Sequence, residues 1–226
     1  MLAPSTAATW VGAVATSAAV FIALFKDEWL KYRRRPRLSV SIDPKPPDCL
    51  LIPSLVYGPN RGVLWRGDIY YLRLWVENGG RGRAEQVQVF LSKLYKKNAN
   101  HEFAPVSTFV PMNLRWSNYA DSRPEIFAAG ISQKFGKHCD LCSISDPANP
   151  TEPLKGYEGQ PIGNLQVEAP PNNDSHRLPP GDYKLEVMVG AANANPITRS
   201  VLLNLKGKWS SDPDTMFRDY VGVRLA

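Results

Sequence analysis

The first 25 residues carry no charged side chain, and the next twelve carry eight. Within the uncharged part, Ala7 to Phe25 is a 19-residue stretch without proline. As a helix it would extend about 29 Å, against a hydrocarbon core of about 30 Å. Val11, Val14, Val20, Phe21, Ile22, Leu24 and Phe25 supply its apolar character, and alanine fills much of the rest. Trp10 near one end, and Trp29 and Tyr32 beyond the other, stand where interfacial aromatics belong. A cleaved signal peptide would need a basic leader and a small-residue cleavage site. Here the leader is uncharged and the run ends in Leu24-Phe25-Lys26. A buried soluble helix would leave the charge step unexplained.

Residues 26–37 hold six basic and two acidic side chains, so they carry +4 of the net +6. Basic groups beside a membrane-spanning segment stay cytoplasmic. Lys31, Arg33, Arg34 and Arg35 therefore predict an inner-membrane, single-pass topology with the N-terminus outside and the C-terminal domain in the cytoplasm. They also predict contact with anionic lipid headgroups. Pro36 is expected to stop the helix near Arg35. Ala8, Gly12 and Thr16 repeat at a spacing of four, a pattern that allows self-association of helices in lipid. The chain thus divides into residues 1–36, a transmembrane helix with its basic flank, and residues 37–226, one globular domain. That domain is nearly neutral, so the basic composition speaks for topology, and nucleic acid is not an expected partner.

Beyond Pro36 the pattern changes to short alternating runs broken by Pro, Gly and Asn. Arg37–Ile42 alternates. Ile69–Glu77 is the strongest strand, with Tyr70, Leu72, Leu74 and Val76 on one face. Asn78-Gly79-Gly80-Arg81-Gly82 is a turn. Glu85–Leu94 alternates again, with Val87, Val89 and Leu91 inward. Further strands are expected at Thr108–Val110, Leu114–Ser117, Ser132–Phe135, Cys139–Ile144, Leu165–Glu168, Tyr183–Val189, Ile197–Leu205 and Tyr220–Leu225. Asp43–Pro47 is a Pro-rich break, and Asp146–Gly163 and Ala169–Pro180 read as loops. No long amphipathic helix interrupts the series, which predicts an all-β antiparallel sandwich or barrel.

Two segments carry a resemblance. Leu74–Val89 (LWVENGGRGRAEQVQV) resembles the strand–turn–strand of immunoglobulin-like bacterial domains. Leu178–Val189 (LPPGDYKLEVMV) is similar to the Pro-Gly-x-Tyr approach to a late strand in such domains. The whole arrangement resembles small single-pass bacterial membrane proteins with a cytoplasmic immunoglobulin-like β-sandwich. The resemblance covers about 30 of 226 residues and implies a fold, not an activity. Region 96–165 departs from a minimal immunoglobulin domain.

Chemistry-bearing patterns are sparse. Cys139 and Cys142 form a C-x-x-C pair, the spacing of zinc or thiol–disulfide sites. A structural zinc site needs a second compact pair of ligands, and only Cys49, His101 and His176 remain, each isolated. The simpler reading makes both cysteines small buried hydrophobes on a strand. No nucleophile elbow, phosphate-cradling loop or paired-carboxylate spacing is present, so a non-enzymatic chain without a cofactor is expected. Residues 61–97 hold eight basic and three acidic groups interleaved with Trp65, Tyr71 and Trp75. Arg73, Trp75, Arg81 and Arg83 are the candidate ligand- or partner-binding residues. Trp10, Phe25, Trp29, Lys31, Arg33, Arg34 and Arg35 are the membrane and topology residues. The expected function is a membrane-anchored interaction module that presents the sandwich to a protein partner. The alternative is a tethered sensor that binds a nucleotide or nucleic acid through residues 61–97.

Overall fold

The computed structural model describes residues 4–60, 62–118, 128–149 and 154–226, with backbone alone for 4–9, 27, 28, 31 and 129. The chain opens with a helix, α1 (Pro4–Arg33). Its apolar side chains lie bare: Trp10 is 68% exposed, Phe21 63% and Phe25 51%. Thr16 turns its hydroxyl back onto the Gly12 carbonyl at 2.8 Å, which satisfies it within the helix. Among the described residues no helix is long and apolar enough to cross a membrane. Ala, Gly, Ser and Thr dilute the apolar stretch, and three of its residues, Ala7–Thr9, lie outside the described side chains.

The remainder is a β-sandwich of two antiparallel sheets. Its strands are β1 (Leu38–Ser41), β2 (Cys49–Tyr57), β3 (Val63–Asn78), β4 (Ala84–Lys97), β5 (Phe103–Pro105), β6 (Met112–Asn113), β7 (Arg115–Trp116), β8 (Ala128–Ile131), β9 (Gly136–Ser145), β10 (Gly163–Leu165), β11 (Arg177–Leu178), β12 (Gly181–Ala191), β13 (Ala194–Leu205) and β14 (Val221–Leu225). A one-turn helix, α2 (Pro213–Thr215), and a π turn (Met216–Tyr220) precede β14. The first sheet runs β1-β3-β9-β10-β11, with β2 also on β3 and β7 also on β9. The second runs β14-β13-β12-β4-β5, with β6 and β8 also on β4.

Alternation decides which faces meet. Tyr70, Leu72, Leu74 and Val76 of β3 are fully buried, as are Val87, Val89 and Leu91 of β4 and Leu185, Val187 and Val189 of β12. These faces form one core between the sheets. Each such side chain contributes roughly 1.5–3 kcal/mol by leaving water. Tyr70 also ties down the C-terminal segment. Its hydroxyl donates to the Ser210 carbonyl at 2.9 Å, and its ring packs edge-on to Trp209 and Phe217.

Three expectations need correction, and one strand lies outside them. Thr108–Val110 is not a strand; a turn forms there, and the chain pairs with β4 earlier, at Phe103–Pro105. Ser132–Phe135 is a turn in which Lys134 takes φ +61°, and its N–H reaches the Asn78 carbonyl at 2.8 Å. Leu165–Glu168 shrinks to β10 and an isolated bridge between Leu114 and Val167. Strand β2 has no counterpart among the expected strands, because Pro53 interrupts it. Among the described residues β2 pairs only with β3, so Pro53 sits on an edge strand where its missing N–H faces no neighbour.

Candidate functional site at the helix–sandwich junction

The Asn78–Gly82 turn is where the helix meets the sandwich. Asn78 is fully buried and its amide is fully used. Its Oδ1 accepts from the N–H groups of Arg37 (3.1 Å) and Gly80 (3.0 Å). Its Nδ2 donates to the carbonyls of Gly82 (2.7 Å) and Ile131 (3.0 Å). One side chain thus joins the segment leaving the helix, the β3–β4 turn and β8. The glycines are needed by proximity. A methyl group on Gly80 would overlap the backbone of Arg35, Pro36 and Arg37, and one on Gly82 would overlap the Arg34 carbonyl. The turn between β12 and β13 is clasped to the same place. Asn193 Nδ2 donates to the Arg83 carbonyl at 2.9 Å, and its Oδ1 accepts from the Glu85 N–H at 3.0 Å.

The segment leaving the helix, the β3–β4 turn, the start of β13 and the last turns of α1 line a half-open cavity of about 870 Å³. Arg33, Arg35, Arg37 and Arg81 line it, with Trp29, Tyr32 and Asn195. No acidic residue is among the described residues that line it. The Arg33 guanidinium lies 4.7 Å from the Trp29 ring centre, and that of Arg35 lies 4.9 Å from Tyr32. Stacking on a ring holds a guanidinium while leaving its N–H edge available.

The predicted site residues therefore separate. Trp29, Arg33, Arg35 and Arg81 come together at the junction. Arg34 contributes its carbonyl to the contact with Gly82. Trp10 and Phe25 lie on the exposed helix, and the Lys31 side chain lies outside the described residues. Arg83 leaves the cavity and lies across Gly130.

Arg73 and Trp75 belong to a different group, on the outer face of the first sheet. Arg73 pairs across the strands with Asp140, and Trp75 with His138. The Arg73 Nε lies 3.0 Å from Asp140 Oδ1. Its N–H does not point along that line, so the contact acts as an ion pair rather than an aligned hydrogen bond. Ser117 donates its hydroxyl to the same oxygen. Burial pushes the Asp140 carboxyl above its ordinary range, against the opposing pull of Ser117 and Arg73. His138 packs its ring 4.7 Å from that of Trp75 and places Nε2 2.9 Å from Asp48 Oδ1. The Trp75 ring also covers Gly136. Arg73 sits on the first sheet and Lys93 on the second. Region 61–97 therefore spreads its basic groups over both sheets. The Asp48–His138 pair has no signal in the sequence, since nothing local links two residues so far apart.

Cys139 and Cys142 face the core. A bulge at Leu141 places Cys142 opposite Leu72 and Cys139 opposite Leu74, so residues three apart share the inner face. Both are buried thiols, as is Cys49. Burial raises the Cys139 thiol well above its ordinary value, and the neighbouring Asp140 charge adds to the effect. Such a thiol has little thiolate to offer a metal or an electrophile. Among the described residues no group of three or more His, Cys, Asp or Glu side chains could hold a metal ion.

At the far end of β3 the β2–β3 hairpin leaves the sandwich. Pairing of β3 with β9 starts at Ile69, whereas pairing with β2 continues to Val63. Residues 53–57 and 63–67 thus form a two-stranded ribbon beyond the sheet. Its apolar side chains Leu55, Tyr57, Val63 and Leu64 are exposed, Tyr57 by 60%.

No family model, curated protein or solved structure matches the chain.

Proposed function

We propose that the chain is a membrane-anchored, non-enzymatic interaction module that presents an immunoglobulin-like β-sandwich at the cytoplasmic face of a bacterial inner membrane. The bare apolar side chains of α1 need a non-aqueous cover, and the basic step after Phe25 favours the cytoplasmic side for the sandwich. The immunoglobulin-like assignment draws support from Tyr183. It follows Pro180-Gly181-Asp182 and donates its hydroxyl to the Pro179 carbonyl at 2.7 Å, the geometry of a tyrosine corner. Similarity to small single-pass bacterial proteins of this kind belongs to the same proposal.

The observation that carries the interaction role is the β2–β3 ribbon. Exposed apolar residues on a two-stranded ribbon gain nothing for the fold, and such a ribbon is marginal alone in water. Its β2 edge also offers backbone groups to a partner strand. The test is quantitative cross-linking in membranes, with the full chain against a Leu55→Ser, Tyr57→Ser, Leu64→Ser variant. A protein partner joined to the wild type and lost from the variant is expected. Equal yields from both would overturn the ribbon as the contact. Protease digestion of the domain from outside intact spheroplasts would overturn the orientation.

A further inference from the structure

We propose that the junction cavity is a binding site for the phosphate of an anionic lipid headgroup. The proposal rests on the membrane-anchored reading and names a partner for one place in it. Four arginines converge on one cavity of about 870 Å³, a size suited to a small ligand. Guanidinium groups bind phosphate through paired, charge-assisted hydrogen bonds.

The backbone that carries the arginines is held in place before any ligand arrives. Asn78 holds the Arg37 backbone, and Gly80 and Gly82 let the Arg34–Arg37 segment lie directly on the turn that carries Arg81. Trp29 and Tyr32 stack against two of the guanidinium groups. Four like charges lining one cavity repel one another, and an anion relieves that repulsion. The helical residues that line the cavity lie about one to two turns beyond Phe25, where headgroup phosphates of a surrounding bilayer would lie. A topology signal alone requires only the charge of Arg33–Arg35. It does not require Arg81, which belongs to the sandwich.

The test uses the full chain in nonionic micelles doped with equal amounts of phosphatidylglycerol and phosphatidylcholine, and native mass spectrometry reads the retained lipid. Preferential retention of phosphatidylglycerol is expected, reduced about fivefold or more in Arg81→Ala and unchanged in Arg83→Ala. Equal retention of the two lipids, or equal losses in the two variants, would overturn the proposal. Displacement of phosphatidylglycerol by an equal concentration of soluble glycerol 3-phosphate would overturn the lipid source in favour of a free phosphoester. Alkaline carbonate extraction separates the two levels of the argument. Release of the full chain from membranes sinks the anchor and the lipid assignment together. Membrane retention without headgroup preference sinks the cavity site alone.

Discussion

Asp48 and His138 lie 90 residues apart in the chain and meet across β3, with Asp48 Oδ1 2.9 Å from His138 Nε2. The pair staples the Pro-rich segment before β2 to the sheet, and Asp48 Oδ2 also accepts from the Asp43 N–H at 2.9 Å. Asp48→Asn keeps the shape and removes the charge. A loss of about 1 kcal/mol is expected in urea unfolding of the full chain, shrinking in high salt.

Asp140 and Arg73 are a more buried pair, with side chains 12% and 14% exposed. Removing Asp140 alone strands the Arg73 charge, so Asp140→Ala should cost about 3 kcal/mol. Replacing both with leucine should recover most of that loss. A double-mutant cycle with no coupling between the positions would refute the pairing.

How much of this can be seen in the chain itself depends on how local the cause is. The alternation of Tyr70, Leu72, Leu74 and Val76 defines the inner face of β3, because a period of two needs no partner to be legible. Strand β2 is hidden because a proline is compatible with a strand only at a sheet edge, and edge position is a property of the whole fold. The C-x-x-C spacing matches zinc and thiol–disulfide sites, yet both cysteines are buried strand residues; a regular strand would send them to opposite faces, and the Leu141 bulge turns both inward. Charge alone points to the junction arginines. Their cavity is not legible, because it depends on Asn195 and Ile197 of β13, more than a hundred residues beyond Arg81. The glycine spacing at positions 80 and 82 is the one local hint of a close backbone approach.

Asn78 makes four hydrogen bonds from a fully buried position. Asn78→Ala should destabilise the chain by about 3 kcal/mol, as buried donors and acceptors lose their partner. Hydrogen exchange should quicken first at Arg37 and Gly80, whose N–H groups bond to Oδ1.

Gly82→Ala places a methyl group on the Arg34 carbonyl, which must then move away from the turn. Trypsin cleavage between Arg33 and Arg37 should accelerate in the full-length variant. Unchanged cleavage would show that the segment does not depend on the turn for its position.

Alkaline pH should weaken the fold from within. Burial pushes Cys49 from 9.0 up to about 12 and Tyr70 from 10.0 up to about 12. The folded state holds these protons while the unfolded chain has lost them. Their stabilising contribution is thus complete below pH 9 and is lost as pH rises through 9 to 12. The melting temperature should fall steadily across that window, and Cys49→Ala should flatten the slope.

Strand β3 begins in the exposed ribbon at Val63 and ends at Asn78, in the grip of the junction. Sixteen residues of continuous strand reach about 50 Å. The two ends are therefore a fixed span apart, joined by one strand whose middle is locked into the core. The cavity and the ribbon are thus separate surfaces, set apart by that span. Because Asn78 and the close approach of Gly80 and Gly82 tie this end of the strand to the segment leaving the helix, the direction of the helix and the place of the ribbon are set by the same strand.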